Sequence, residues 1–105
     1  MKINGHLDIL CSQEEEELDG EIKKWDEVYI HGDPEGLRSF AKLLLELADL
    51  NQEAIDDKIL PIGANEHVHL RPNLELSKSS ATAIVGRLDA KGSGKFYSRY
   101  VPKEV

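Results

Sequence analysis

The chain reads as an α+β protein: a mainly antiparallel sheet of about five strands with one main α-helix, spanning about 34–50, packed on one face. Three observations carry this. One stretch has clear helical periodicity with its own start signal, several short stretches alternate apolar and polar residues as strands do, and 105 residues make one domain, 1–105, with no room for a second.

The helix is the most legible element. Asp33 is a good N-cap, because its short side chain can accept from the unpaired N–H groups of the first turn. Pro34 stands where its missing N–H costs nothing, and Glu35 meets the positive end of the helix dipole. Leu37, Phe40, Ala41, Leu44, Leu47 and Ala48 recur at three- and four-residue spacing, with Leu43, Leu45 and Leu50 widening the apolar face. Burying one such side chain contributes roughly 1.5–3 kcal/mol, so the helix needs a partner surface, which the strands must supply.

Residues 2–11 alternate, with Ile3, Leu7, Ile9 and Cys11 on one side and Lys2, Asn4, His6 and Asp8 on the other, and Gly5 marks a bulge. An acidic loop, Ser12 to Gly20, leads to a second strand, Lys24 to His31, in which Val28 and Ile30 share the core face and Trp25 lies at the sheet edge. After the helix, residues 52–63 form a connection tied down by Ile55, Ile59, Leu60 and Ile62. Glu66 to Leu70 forms the third strand, Thr82 to Leu88 the fourth and Lys95 to Val101 the fifth, with the glycines of Asp89–Gly94 turning a hairpin between the last two.

Composition narrows the function classes. No window approaches eighteen apolar residues and the N-terminus has no apolar core of a signal peptide, so neither export nor a membrane partner is expected. Cys11 is the one cysteine; no internal disulfide can form, which suits a cytoplasmic location, and in its apolar pattern it reads as a core filler rather than a nucleophile. The net charge of −7 is unevenly spread: residues 1–75 hold 18 acidic and seven basic side chains, residues 76–105 two acidic and six basic. The densest negative patch is Glu14, Glu15, Glu16 and Glu17 with Asp19, Glu21, Asp26 and Glu27; a second, Asp49, Glu53, Asp56 and Asp57, follows the helix. Such a field repels nucleic acid and steers basic proteins inward. The plain alternative is solvated charge that maintains solubility.

Other candidate chemistry is weaker. His67 and His69 project from one face of a strand as two zinc-ligating imidazoles would, but nothing in the spacing brings His31, His6 or a carboxylate to them and no HExxH or paired CxxC motif is present, so no metal is expected. The Lys91–Lys95 run resembles a phosphate loop only superficially: Asp89 stands where the first glycine is needed and Phe96 where Ser or Thr belongs. Arg87, Lys91, Lys95 and Arg99 interleaved with Phe96, Tyr97 and Tyr100 have the composition of a nucleic-acid surface, yet an acidic protein forgoes long-range attraction to phosphates, and a basic edge answering the protein's own acids is the simpler reading. No set of residues makes a convincing acid, base or nucleophile, so no enzyme activity, catalytic residue or cofactor is expected.

The string from Gly32 to Ala48, GDPEGLRSFAKLLLELA, then HVHLRP from His67 to Pro72, then Leu76, Ser80 and AIVGRLDAKG from Ala83 to Gly92, resembles the immunity protein 32 family of bacteria. The likeness covers roughly residues 26–92. It implies a small α+β protein that binds and neutralises a cognate polymorphic toxin. With the charge pattern it suggests that carboxylates plug a basic, nuclease-like active site, the expected contacts being Glu14, Glu15, Glu16, Glu17, Asp19, Asp56 and Asp57, with His67 and His69 at the rim. The competing expectation is a non-catalytic binding module or small subunit whose exposed sheet edge pairs with a partner or with a second copy as a homodimer.

Overall fold

In a computed structural model, which describes residues 2–104, the chain is α+β with one main helix, as its periodicity predicts, but the strands form two separate two-stranded antiparallel sheets rather than one five-stranded sheet. β1 (Leu7–Leu18) pairs with β2 (Glu21–Gly32); α1 (Pro34–Asp49) follows, then a single 3₁₀ turn over Gln52–Ala54; β3 (His67–Leu70) pairs with β4 (Ala83–Gly86).

The helix starts as expected. The Asp33 side chain accepts from the Gly36 N–H at 2.7 Å and also from the His6 N–H at 3.0 Å, so the cap fastens the entry to β1 onto the helix. Its buried stripe is Gly36, Leu43 and Leu47, with Phe40 half-buried, while Leu37, Leu44 and Leu45 remain exposed. The expected stripe was therefore turned by about one residue. Three consecutive leucines leave the phase open, and the close approach of Gly36 to the His6 carbonyl settles it.

The core is compact: Leu7 and Ile9 of β1, Leu43 of α1, Leu70 of β3 and Leu76, flanked by Ile3, Phe40, Val68, Ala83 and Val85. Segment 77–81 closes the inner part of the free β1 edge. Ser77 and Ala81 donate their N–H groups to the Leu7 and Ile9 carbonyls, and the buried Ser80 hydroxyl accepts from the Ile9 N–H at 2.9 Å. Ser77 and Ser79 both donate to Asp8 at 2.5 Å.

Arg87, expected on a basic edge answering the protein's own acids, pairs with Asp89 in that way and also serves the helix C-terminus. Its guanidinium donates to the carbonyls of Leu47 at 3.1 Å and Leu50 at 2.8 Å and forks onto both oxygens of Asp89. No basic residue lies in the last helical turn, so this neighbour supplies the cation that the negative helix end favours. Its hydrogen bonds hold the Asp89 carboxyl below the usual carboxylate range.

Lys91 likewise answers one of the protein's own acids, Asp57, but from a buried position rather than on an exposed hairpin. It is 1% exposed, and its ammonium donates to the carbonyls of Ile55 and Leu60 and to the Asp57 carboxylate at 2.7 Å. Its backbone pairs with residues 63 and 64. The 89–94 segment thus wraps around an inward-pointing lysine, and no fifth strand forms over 95–101.

Two carboxyls tie the fold to pH. Asp33 is held below its ordinary value first by the His6 N–H and then by that of Gly36, and Asp8 first by Ser77 and then by Ser79. A depressed folded-state value means stability present above the unfolded value and lost as pH falls through the folded one. The melting temperature should therefore drop below about pH 4. In thermal melts the double variant D8N/D33N, which keeps the hydrogen-bonding shape, should show a smaller fall; an unchanged profile would remove these two groups from the acid response.

Candidate partner-binding site

The acidic stretch is not a loop. Asp19 and Gly20 have φ of 53° and 81°, and with Leu18 paired to Glu21 they form a two-residue turn that closes a long hairpin. Positive φ at both central positions is the requirement of a type I′ turn, for which Asp-Gly is a preferred dipeptide. That signal is present in the sequence but is masked by four glutamates, which are poor strand formers. Each strand is 12 residues long, about 40 Å when extended.

Only the inner end of this hairpin meets the core. Leu7 and Ile9 are buried, whereas Cys11, Val28 and Ile30, on the same face, are exposed. The radius of gyration is 17.1 Å, against about 13 Å for a compact chain of this length. The outer hairpin is an arm that extends beyond the folded body.

Strand alternation sends Glu14 and Glu16 to one face of the arm and Glu15 and Glu17 to the other. Three ion pairs are present among the described residues, Arg71–Glu75, Arg87–Asp89 and Lys91–Asp57, and none involves the four glutamates. Lys24 and Lys23 lie opposite Glu15 and Glu16 in register, but outside ion-pair distance. Glu14 accepts from the Ser12 hydroxyl at 2.7 Å. The same face carries a row along β2, directly across from Glu14, Ser12 and Leu10, in which Trp25 Nε1 at 2.8 Å and the Tyr29 hydroxyl both donate to Glu27, holding that carboxyl below its usual range.

The remaining expected contacts lie elsewhere. Asp56 accepts from the Lys58 N–H and, through its carbonyl, from Ile59 and Leu60, shaping the loop after α1. Asp57 sits in that loop and is engaged by Lys91, with 71% of its side chain still exposed. His67 and His69 share the outer face of β3, ring centroids 5.2 Å apart, with His67 Nδ1 at 3.1 Å from the Asn65 carbonyl oxygen. Among the described residues no hydrogen bond or ion pair joins these groups to the arm.

The two histidines line an open groove of about 550 Å³ with Ile84, Gly86, Tyr97 and Arg99, where the Arg99 guanidinium lies 5.6 Å from the Tyr97 ring centroid. Sequence reasoning placed Tyr97 and Arg99 on a fifth strand and so did not join them to the histidines. Among the described residues no group of three His, Cys, Asp or Glu side chains is placed to hold a metal, and no helix is long and apolar enough to cross a membrane.

The molecule is a helix-backed α+β body with a carboxylate-bearing arm. A sequence profile of the immunity protein 32 family matches residues 27–88, and the chain belongs to that family. Membership implies an immunity protein, with a toxin as its partner. No curated protein and no solved structure matches the chain. The shared stretch takes in the inner part of β2, the helix and the second sheet, and leaves the turn and the four glutamates outside it.

Proposed function

We infer that the protein binds and neutralises a cognate toxin non-catalytically by inserting its acidic arm into a basic, nuclease-like cleft. The observation that carries this reading is the state of Glu14, Glu15, Glu16 and Glu17: exposed or half-exposed, free of internal ion pairs, and displayed on both faces of a projecting hairpin. A two-stranded ribbon is about as thick as one sheet layer, roughly 10 Å. It presents carboxylates to both walls of a cleft, where phosphate oxygens of a substrate would otherwise lie. Asp19 at the tip adds a fifth acidic group. Asp56, Asp57, His67 and His69 stand off the arm, so their contribution is to a rim of contact around the inserted hairpin. Action in the cytoplasm, with the one cysteine unpaired, completes the reading.

Reversing all four charges, E14K/E15K/E16K/E17K, should slow association with the cognate toxin by about a hundredfold and flatten its salt dependence, since steering by charge acts mainly on the on-rate. Stopped-flow association across a salt series reads both effects. An unchanged rate would remove the arm from the mechanism.

A further inference from the structure

The outer edge of β2 is unpaired along the arm, because among the described residues no backbone hydrogen bond reaches Glu21–His31 from outside the hairpin. The bonding phase of that edge follows from β1. Leu7 and Ile9 direct their carbonyls away from β2, toward Ser77 and Ala81. The alternate residues Asp8, Leu10, Ser12, Glu14, Glu16 and Leu18 therefore bond inward to the odd-numbered residues of β2. Ile22, Lys24, Asp26, Val28 and Ile30 are left with their N–H and C=O groups pointing out.

The sequence of that edge is close to a charge palindrome centred on Trp25. Reversed about this residue, Lys24 meets Asp26, Lys23 meets Glu27, Ile22 meets Val28 and Glu21 meets Tyr29. We propose that two copies of the chain pair β2 to β2, antiparallel and two-fold symmetric about Trp25, joining their arms into one four-stranded sheet in the order β1–β2–β2–β1. In this register the outward-bonding residues of one copy meet the outward-bonding residues of the other. Trp25 faces itself at a non-hydrogen-bonded position, where side chains across a pair come closest and aromatic pairs contribute most.

Neighbouring registers are disfavoured. Bonding phase allows the symmetry centre to move one residue at a time, and a move either way sets Lys24 against its own copy or Asp26 against its own copy. The residues that would bridge are ready in the monomer. Lys23 and Lys24 form no ion pair, and Glu27 is already held in place by Trp25 and Tyr29 with lone pairs to spare. The pairing also gives a physical reason for an otherwise isolated two-stranded arm, an arrangement of marginal stability by itself. The β1 edges with their glutamates stay outermost, so the dimer does not depend on the toxin-binding reading.

Sedimentation velocity from about 1 µM to about 1 mM, the range expected of a small interface, should show a monomer–dimer equilibrium. An exciton couplet from the Trp25 pair should appear in circular dichroism as the dimer fills. The variants K23E/K24E and D26K/E27K should each raise the dissociation constant at least about a hundredfold, because every charged pair becomes a like-charge pair. Mixed one to one, they should form a heterodimer of near-parental affinity, which also shows that both remain folded. A chain that stays monomeric throughout, a variant that dimerises as tightly as the parent, or a mixture that gives no heterodimer would each overturn the proposal.

Discussion

Replacing Gly36 with alanine should lower the melting temperature by about 15 °C, corresponding to a loss of roughly 3 kcal/mol. The sign is opposite to the usual one. A glycine in a helix is normally a weak point, and although Gly36 stands in the first turn rather than the interior, alanine there would ordinarily gain up to about 0.5–1 kcal/mol. Here a Cβ would stand 1.9 Å from the His6 carbonyl oxygen and 2.6 Å from its carbon. These are backbone atoms, held by the bonds from Asp33 to His6, and they cannot swing aside as a side-chain tip can. Relief requires the helix N-terminus to lift from the approach to β1, which breaks the shared Asp33 cap. Thermal and denaturant melts of G36A read the effect, with G63A, whose added Cβ would meet nothing within 4 Å, as a comparison in which only left-handed backbone strain operates. A G36A protein as stable as the parent would show that this contact is loose in solution.

Lys91→Met should cost about 3 kcal/mol although methionine fills nearly the same space. The ammonium donates to two carbonyls and one carboxylate, and its removal leaves the Ile55 and Leu60 oxygens facing an apolar side chain. An acceptor buried without a donor costs about 1–3 kcal/mol. Asp57→Asn should cost under about 1 kcal/mol, because 71% of the Asp57 side chain is exposed and water replaces much of what the ion pair supplies. The contrast between the two variants in chemical denaturation tests whether the lysine acts as the anchor of the 55–60 loop or merely as half of an ion pair. Equal losses would favour the ion pair.

Much of the helix was legible in the residues alone because its signals are local. Asp33, Pro34 and the recurrence of the leucines act within one or two turns and mark where the helix runs, while which leucines face inward was settled only by the approach of Gly36 to the His6 carbonyl. The alternation of Leu7 and Ile9 and of Val68 and Leu70 likewise survives into the structure as inward-facing rows. The glutamate run was visible as a charged surface but misread as a loop, since strand propensity is a weak property of single residues and Asp19–Gly20 had to be weighed against them. The fifth strand failed for a different reason. Lys91 looks like a surface residue by type, and nothing within a few positions of it announces that Ile55, Asp57 and Leu60 will close around its ammonium.

The sequence by itself determined the α+β class, the position and cap of the helix, the uneven spread of charge and the likeness to immunity proteins, because each depends on residue order over short range or on summed charge. Only the tertiary structure decided that the sheet divides in two, that Arg87 and Lys91 turn inward, and that the four glutamates ride on a projecting hairpin with an unpaired edge. The inward turns of Arg87 and Lys91 depend on which carbonyls are left without donors once the helix has docked, and that is settled between residues about thirty or more positions apart, whereas the hairpin forms between near neighbours across Asp19–Gly20.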